Sequence, residues 1–141
     1  GVGAMKTKIN LVLLFFAVFV IGCQPKQATQ EPEGCTLQKY KSSATVLMRR
    51  YSLVIKELDI RDATSRNITR EKLLDLKEKI DAVKCKERYP LKHETLAYSV
   101  KHMLDALDYT DQGDYESANQ SINAALINVE QFNDWSVDVG E

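Results

Sequence analysis

The sequence DYESANQSINAALINVEQF, residues 114–132, decides the fold because its apolar residues recur at helical spacing. Successive members of this stripe are three or four positions apart, which places them on one face of an α-helix. The stripe consists of Tyr115, Ala118, Ile122, Ala125, Val129 and Phe132. Asp114 precedes it and is a favourable N-cap residue. Residues 114–132 are therefore predicted to form an amphipathic helix.

Three segments upstream show the same spacing. Helix one is predicted over residues 36–60, helix two from an N-cap at Thr69 to about residue 88, and helix three over residues 91–111. Gly113 favours the left-handed conformation in which many helices end. From residue 36 onward, no segment alternates with the period of two that is typical of a strand. The sequence therefore predicts an all-α fold, an antiparallel up-down four-helix bundle.

The N-terminal region has the character of a secretion signal. Lys6 and Lys8 precede an apolar run over residues 9–21, which ends at Val20-Ile21-Gly22-Cys23. These last four residues resemble the lipobox of bacterial lipoproteins. That resemblance implies cleavage between Gly22 and Cys23, and covalent attachment of diacylglycerol and an N-acyl chain to Cys23. A membrane-spanning anchor is the alternative, but the run has about 13 residues and a span needs about 20.

The signal sets the expected domain organisation and location. We expect residues 1–4 to be an upstream extension or cloning remnant, residues 5–22 a signal peptide, residues 23–34 a lipidated N-terminus with a flexible tether, and residues 35–141 the helical domain. The resemblance implies a position in the cell envelope. In a Gram-negative source, Gln24 in place of Asp would favour the outer membrane, with the domain facing the periplasm or the cell surface.

With Cys23 assigned to the lipid, Cys35 and Cys85 remain as a pair. Cysteines in an oxidising compartment usually form disulfides. Cys35 precedes helix one and Cys85 lies near the end of helix two, and these ends are adjacent in an antiparallel hairpin. A disulfide is therefore predicted, with a closed loop of about 50 residues that would stabilise the fold by roughly 4 kcal/mol. Two free thiols are the alternative.

Charge is distributed unevenly along the mature chain. Residues 36–92 hold 15 basic and 8 acidic residues, whereas residues 93–141 hold one basic and ten acidic residues. One interpretation is attraction between the two halves within one fold. The other is a basic surface that faces anionic lipid headgroups, glycan or an acidic partner. No nucleic-acid partner is expected outside the cytoplasm.

Residue patterns typical of enzymes and metal sites are not apparent in the sequence. His93 and His102 are nine residues apart and do not share a helix face. Asp105, Asp108 and Asp111 recur every third residue, which is typical of a solvated acidic face rather than a calcium loop. No Ser-His-Asp set or phosphate-binding glycine loop is evident. We expect no enzymatic activity, no metal and no cofactor besides the lipid on Cys23.

Candidate partner-binding residues lie on helix one and at the C-terminal end. Val46 and Leu53 fall outside the main stripe of helix one, so that helix either lies centrally in the fold or offers a docking face. Phe132 and Trp135 lie where helix four ends. The indole of Trp135 either caps the bundle or anchors a partner, as tryptophan often does at binding interfaces.

The region around Gly113 has a second resemblance. Ala106, Tyr109, the run Gly113-Asp114-Tyr115 and the following stripe alanines resemble one tetratricopeptide motif. His102 and Asp105 stand where that motif usually has large apolar residues, and no second copy occurs at its period. The resemblance therefore implies one local helical hairpin and not a repeat array.

These features predict a non-enzymatic accessory or assembly factor, anchored to the membrane by its lipid, that binds another envelope protein. In size, anchor and architecture it looks like the small helical pilot lipoproteins that escort secretion channels to the outer membrane. A lipid or small-ligand carrier is one alternative. An exclusion or immunity lipoprotein is another.

Overall fold

The computed structural model describes residues 34–136, and these residues form four α-helices. The helices are α1 (Leu37–Lys56), α2 (Ala63–Asp81), α3 (Pro90–Asp111) and α4 (Tyr115–Asn133), with a short 3-10 turn at Lys86–Arg88. Within the described range there is no strand, so the all-α prediction is confirmed. The predicted signal peptide, the cleavage site at Gly22 and Cys23, and the tether up to residue 33 lie outside the described residues.

Side-chain caps fix the starts of α1, α2 and α4. The Thr36 hydroxyl accepts a hydrogen bond from the Lys39 amide (3.2 Å), and the Asp114 carboxylate accepts one from the Ser117 amide (3.1 Å). Gly113 has φ +80°, the left-handed conformation predicted for it. The predicted start of α2 at Thr69 is wrong. Asp62 caps that helix by accepting from the Ser65 amide (2.9 Å), and Thr69 is buried inside it.

The core is formed by one apolar face of each helix. On α4 the predicted stripe is buried at Ala118, Ala125 and Phe132, but Tyr115 is 66% exposed and does not belong to it. The bulkiest fully buried apolar side chains come from all four helices and are Tyr40, Phe132, Leu73, Leu76, Ile80, Leu96, Leu107 and Val100. A single close-packed core thus lies inside the unit Cys35–Glu141.

Helix α3 packs against all three other helices, and its most extensive contact is with α4. The Tyr51 hydroxyl of α1 donates a hydrogen bond to the Ser99 carbonyl of α3 (3.2 Å). The predicted disulfide is confirmed: Cys35 and Cys85 are bonded, with their Cα atoms 5.5 Å apart. The start of α1 is therefore linked covalently to the loop between α2 and α3.

Ion pairs join the basic and acidic parts of the sequence. On α2, Arg66 Nε lies 2.7 Å from Asp111 Oδ1, and Arg70 contacts both Asp108 (3.2 Å) and Asp111 (2.5 Å) on α3. Two members of the aspartate series are thus paired with arginines of the neighbouring helix. This arrangement matches the interpretation that the oppositely charged halves attract each other within one fold.

Candidate interaction surfaces

The outward side of α1 carries the first two candidate residues. Val46 is 50% exposed and Leu53 is 59% exposed, so both side chains are available for contact. Helical spacing places them in one row, whose members are Ser42, Val46, Arg49, Leu53 and Lys56. Lys39 and Arg50 flank this row on one side and Lys41 on the other. We call these eight residues the α1 outer face.

The α1 outer face is strongly cationic. The twenty residues of α1 include five basic residues and no carboxylate. Within residues 34–136, no salt bridge forms at these five side chains, which are Lys39, Lys41, Arg49, Arg50 and Lys56. On α2, by contrast, Arg66, Arg70, Lys72, Lys77 and Lys79 each have a carboxylate within 4.0 Å.

A second exposed surface lies on α4 and was not predicted. Leu126 and Ile127 are 55% and 54% exposed, and Tyr115 lies near the start of the same helix. Glu116 and Glu130 are the two charged residues among the nineteen of α4. We use the name α4 outer face for a set of exposed residues on this helix, namely Tyr115, Glu116, Asn119, Asn123, Leu126, Ile127 and Glu130. The signal that could have found it is the low charge of residues 115–133.

A cleft of about 350 Å³ opens beside the first turns of α4. Its lining combines aliphatic side chains with polar ones: Ile60, Arg61, Arg66, Thr110, Tyr115, Ala118, Asn119 and Ile122. Arg66 is fixed in the wall because its guanidinium donates to Asp111 and to the Ile60 carbonyl (2.8 Å). The Arg61 side chain is 89% exposed and holds only a 3.5 Å contact with Asp59. The cleft therefore offers an aliphatic wall beside an accessible guanidinium.

The two aromatic candidates at the end of α4 have different environments. Phe132 is 0% exposed, so it belongs to the core and offers no binding surface. Trp135 is half-buried and packs edge-on against Phe132, with ring centroids 5.3 Å apart. The Nζ atoms of Lys41 and Lys92 lie 5.0 Å and 4.8 Å from the indole centroid. Trp135 thus caps one end of the helical domain.

Lys92 helps to hold that end in place. It is almost fully buried, and its ammonium group donates hydrogen bonds to the carbonyls of Gln131 (2.8 Å) and Asp134 (2.6 Å). Carbonyl groups at a helix C-terminus lack partners within the helix and carry partial negative charge. The Lys92 side chain of α3 therefore caps the last turn of α4.

The two histidines lie apart in different environments. His93 is buried between α1 and α2, where its ring contacts Tyr40 and the Ile80 carbonyl. Burial lowers the pKa of His93. His102 is half-buried beside Tyr98, with ring centroids 6.0 Å apart. Residues 34–136 contain no group of three or more histidine, cysteine or carboxylate side chains that could hold a metal ion.

No helix within the described residues is both long and apolar enough to cross a membrane. No protein-family model, curated protein or solved structure matches this chain.

Proposed function

We propose that this protein is a membrane-anchored cell-envelope lipoprotein that acts as a non-enzymatic protein-binding accessory or assembly factor. The lipobox resemblance at Val20-Ile21-Gly22-Cys23 supports the anchor. Acyl chains on Cys23 would hold the protein at the membrane without a spanning segment. In a Gram-negative source, we propose the outer membrane as its location.

We also propose that the four helices form an up-down antiparallel bundle. Three contacts between consecutive helices support this arrangement. The disulfide joins the beginning of α1 to the region after α2, and Arg66 near the start of α2 pairs with Asp111 at the end of α3. Lys92 near the start of α3 contacts the end of α4. Each contact brings one end of a helix near the opposite end of the next.

The observation that carries the protein-binding proposal is the α4 outer face. Protein interfaces are depleted in charged residues at their centres and enriched in tyrosine. Leu126, Ile127 and Tyr115 are exposed on a helix that has only two charged residues. Exposed aliphatic side chains on a surface with so few charges favour contact with another protein over contact with water.

Photo-crosslinking in the native host tests this proposal. A photoreactive amino acid at position 127 is expected to form a discrete crosslink to one envelope protein. Leu126→Asp should abolish that crosslink because it places a carboxylate in the contact. Leu74→Asp is the matched control, since Leu74 is an exposed leucine on α2 (48%, against 55% for Leu126) and its substitution should leave the crosslink intact.

The same experiment includes the sequence-predicted surface. A photoreactive residue at position 53 reports on the α1 outer face, with Val46→Asp as its disrupting variant. A crosslink to a protein from position 53 and none from position 127 would move the protein contact from α4 to α1. If neither position captures a discrete protein, the accessory function is wrong.

The cleft beside α4 favours a small-ligand carrier as the second candidate function. Its volume of about 350 Å³ lies at the lower end of the range for small-molecule sites. Arg61 would pair with an anionic group while Ile60 and Ile122 contact an aliphatic part. Calorimetric titration with octanoate is the test, and Arg61→Gln should weaken any binding at this cleft.

A further inference from the structure

The positive charge of α1 has no carboxylate partner in the salt bridges of residues 34–136. All five of its cations lie outside the salt bridges formed by the described residues, whereas all five cations of α2 are paired with carboxylates. Unpaired like charges on one helix repel one another. Such an arrangement favours contact between α1 and an anionic surface that does not belong to the helical domain.

The cations surround two exposed aliphatic side chains. Val46 and Leu53 lie in the central row of the α1 outer face, with Arg49 between them. Lys39 and Arg50 lie along one edge of this row, and Lys41 lies along the other, where its ammonium also contacts the Trp135 ring. From Lys39 to Lys56 the face extends about 25 Å at the helical rise per residue. It is a long cationic strip with a narrow aliphatic centre.

We propose that the α1 outer face is a contact surface for anionic phospholipid. Lipid headgroups would pair with the cations on both edges of the strip. Val46 and Leu53 would reach the boundary between headgroups and acyl chains, as the apolar side chains of interfacial helices do. The aliphatic centre is too narrow for deep insertion because the main apolar face of α1 already lies in the core.

The position of α1 in the chain supports a lipid surface as the occupant. This step rests on the proposed lipid anchor at Cys23. Residues 24–34 separate that cysteine from Cys35, and an extended chain of this length reaches at most roughly 40 Å. Because α1 begins at Leu37, two residues after Cys35, it is the helix nearest to the anchor along the chain.

The spread of the cations also favours lipid over an acidic protein. The five basic side chains cover about half of the circumference of α1, which follows from their sequence positions. A protein partner would need carboxylates at matching places around that curved surface. A bilayer with anionic lipids supplies mobile negative charges that gather beside each cation.

Vesicle co-sedimentation tests the proposal. The protein used is residues 24–141, with the disulfide formed and no acyl chains attached. The probe is vesicles of phosphatidylcholine and phosphatidylglycerol in equal parts, with pure phosphatidylcholine vesicles alongside. We expect binding to the mixed vesicles only, with loss of binding as salt rises. Arg49→Gln with Arg50→Gln should weaken binding about tenfold or more, given the typical contribution of each basic residue near an anionic membrane.

The matched control removes the same charge elsewhere. Lys77→Gln with Lys79→Gln takes two cations from α2, where they pair with Asp81 and Asp75. This control should bind the mixed vesicles nearly as well as the unaltered chain. Leu53→Ser should weaken binding without altering its dependence on salt. Circular dichroism verifies that each variant remains folded.

Three outcomes would overturn the inference. The first is absence of binding to the mixed vesicles. The second is equal weakening of vesicle binding by the α1 and the α2 double variants. The third is that Arg49→Gln with Arg50→Gln abolishes a crosslink from position 53 to a protein but leaves vesicle binding unchanged. The last result would assign the face to an acidic protein. Failure of the crosslink from position 127 refutes only the proposed protein contact on α4, because vesicle binding is measured with no protein partner present.

Discussion

The hydroxyl of Tyr40 lies 2.9 Å from Nδ1 of His93, inside the core between α1 and α3. The other ring nitrogen, Nε2, lies 3.0 Å from the Ile80 carbonyl, which only accepts hydrogen bonds. Nε2 therefore carries the proton of the neutral ring, and Nδ1 accepts from the Tyr40 hydroxyl. Protonation of Nδ1 would remove that acceptor and place a charge in a buried position. Burial accordingly lowers the pKa of His93.

The lowered pKa of His93 predicts loss of stability in mild acid. The unfolded chain binds the proton near the usual histidine pKa of about 6.5, whereas the folded chain resists it, so acid favours unfolding. The free energy of unfolding should fall as pH drops below about 6.5, by at most about 1.4 kcal/mol per pH unit, until the pH reaches the lowered folded pKa. Urea unfolding between about pH 7.5 and 5.5 measures this change, in a range where most carboxylates remain ionised.

Two variants distinguish the contribution of His93 to the pH dependence of stability from that of His102. His93→Gln should flatten the pH dependence in this range, although the variant is also less stable overall. His102→Gln should retain the dependence. Rising stability on acidification, or a flattened profile in His102→Gln, would contradict the assignment to His93.

Removal of the disulfide should destabilise the domain. Cys35 and Cys85 are 50 residues apart, and the chain-entropy estimate for such a loop is about 4 kcal/mol. Cys35→Ser with Cys85→Ser should lower the urea midpoint with little change in helix content. Reduced wild-type protein should behave like the double variant. Mass analysis of the oxidised protein should show neither cysteine alkylated, and alkylation of both would refute the bond.

The arginine pair of α2 should couple energetically to Asp111. Hydrogen bonding by Arg66 lowers the pKa of Asp111, so the contribution of the ionised carboxylate is present above the usual aspartate pKa and is lost in stronger acid. Asp111 is 40% exposed, so a double-mutant cycle of Arg66→Ala and Asp111→Ala should give a coupling of about 1 kcal/mol at most. The more exposed pair Lys77 and Asp81 is the control and should give a smaller coupling.

Substitution of Lys92 should loosen the end of α4. Lys92→Met removes the ammonium group that caps the carbonyls of Gln131 and Asp134, at a cost of about 2 kcal/mol. It also removes one of the two cations beside Trp135. Because the chain has one tryptophan, its emission reports directly on this end and should shift to longer wavelength. Lys101→Met, on an exposed position of α3, should leave the emission unchanged.

Local sequence rules predicted the helix types and most of the caps. Gly113 and Asp114 act at helix ends as expected, because capping depends on residues within a few positions of the helix end. The start of α2 was missed because residues 63–68 include several turn-forming side chains. In the structure, the Asp62 cap and the contact of Arg66 with Asp111 keep that segment helical. The second contact spans 45 residues, so local propensity could not predict it.

The candidate surfaces were predictable only in part. Because Val46 and Leu53 fall outside the helical stripe, the sequence left open whether α1 is central or offers a docking face, and the structure shows both side chains exposed. Phe132 follows the stripe and is buried, although its position at a helix end had suggested a binding role. Leu126 and Ile127 were not predicted because they fall outside the apolar stripe of α4 and form no stripe of their own. The salt bridges were not predictable either, because the sequence does not tell which basic side chains have carboxylate neighbours.

The bond between Cys35 and Cys85 also has a mechanical consequence. Any pull transmitted along the N-terminal segment reaches Cys35 before it reaches the first turn of α1. Because Cys35 is bonded to Cys85, the load divides between α1 and the loop that leads into α3. The force then acts on the packed core between these elements as a whole, and α1 does not unfold alone from its first turn. The helical domain is thus reinforced at the end where an anchor would pull on it.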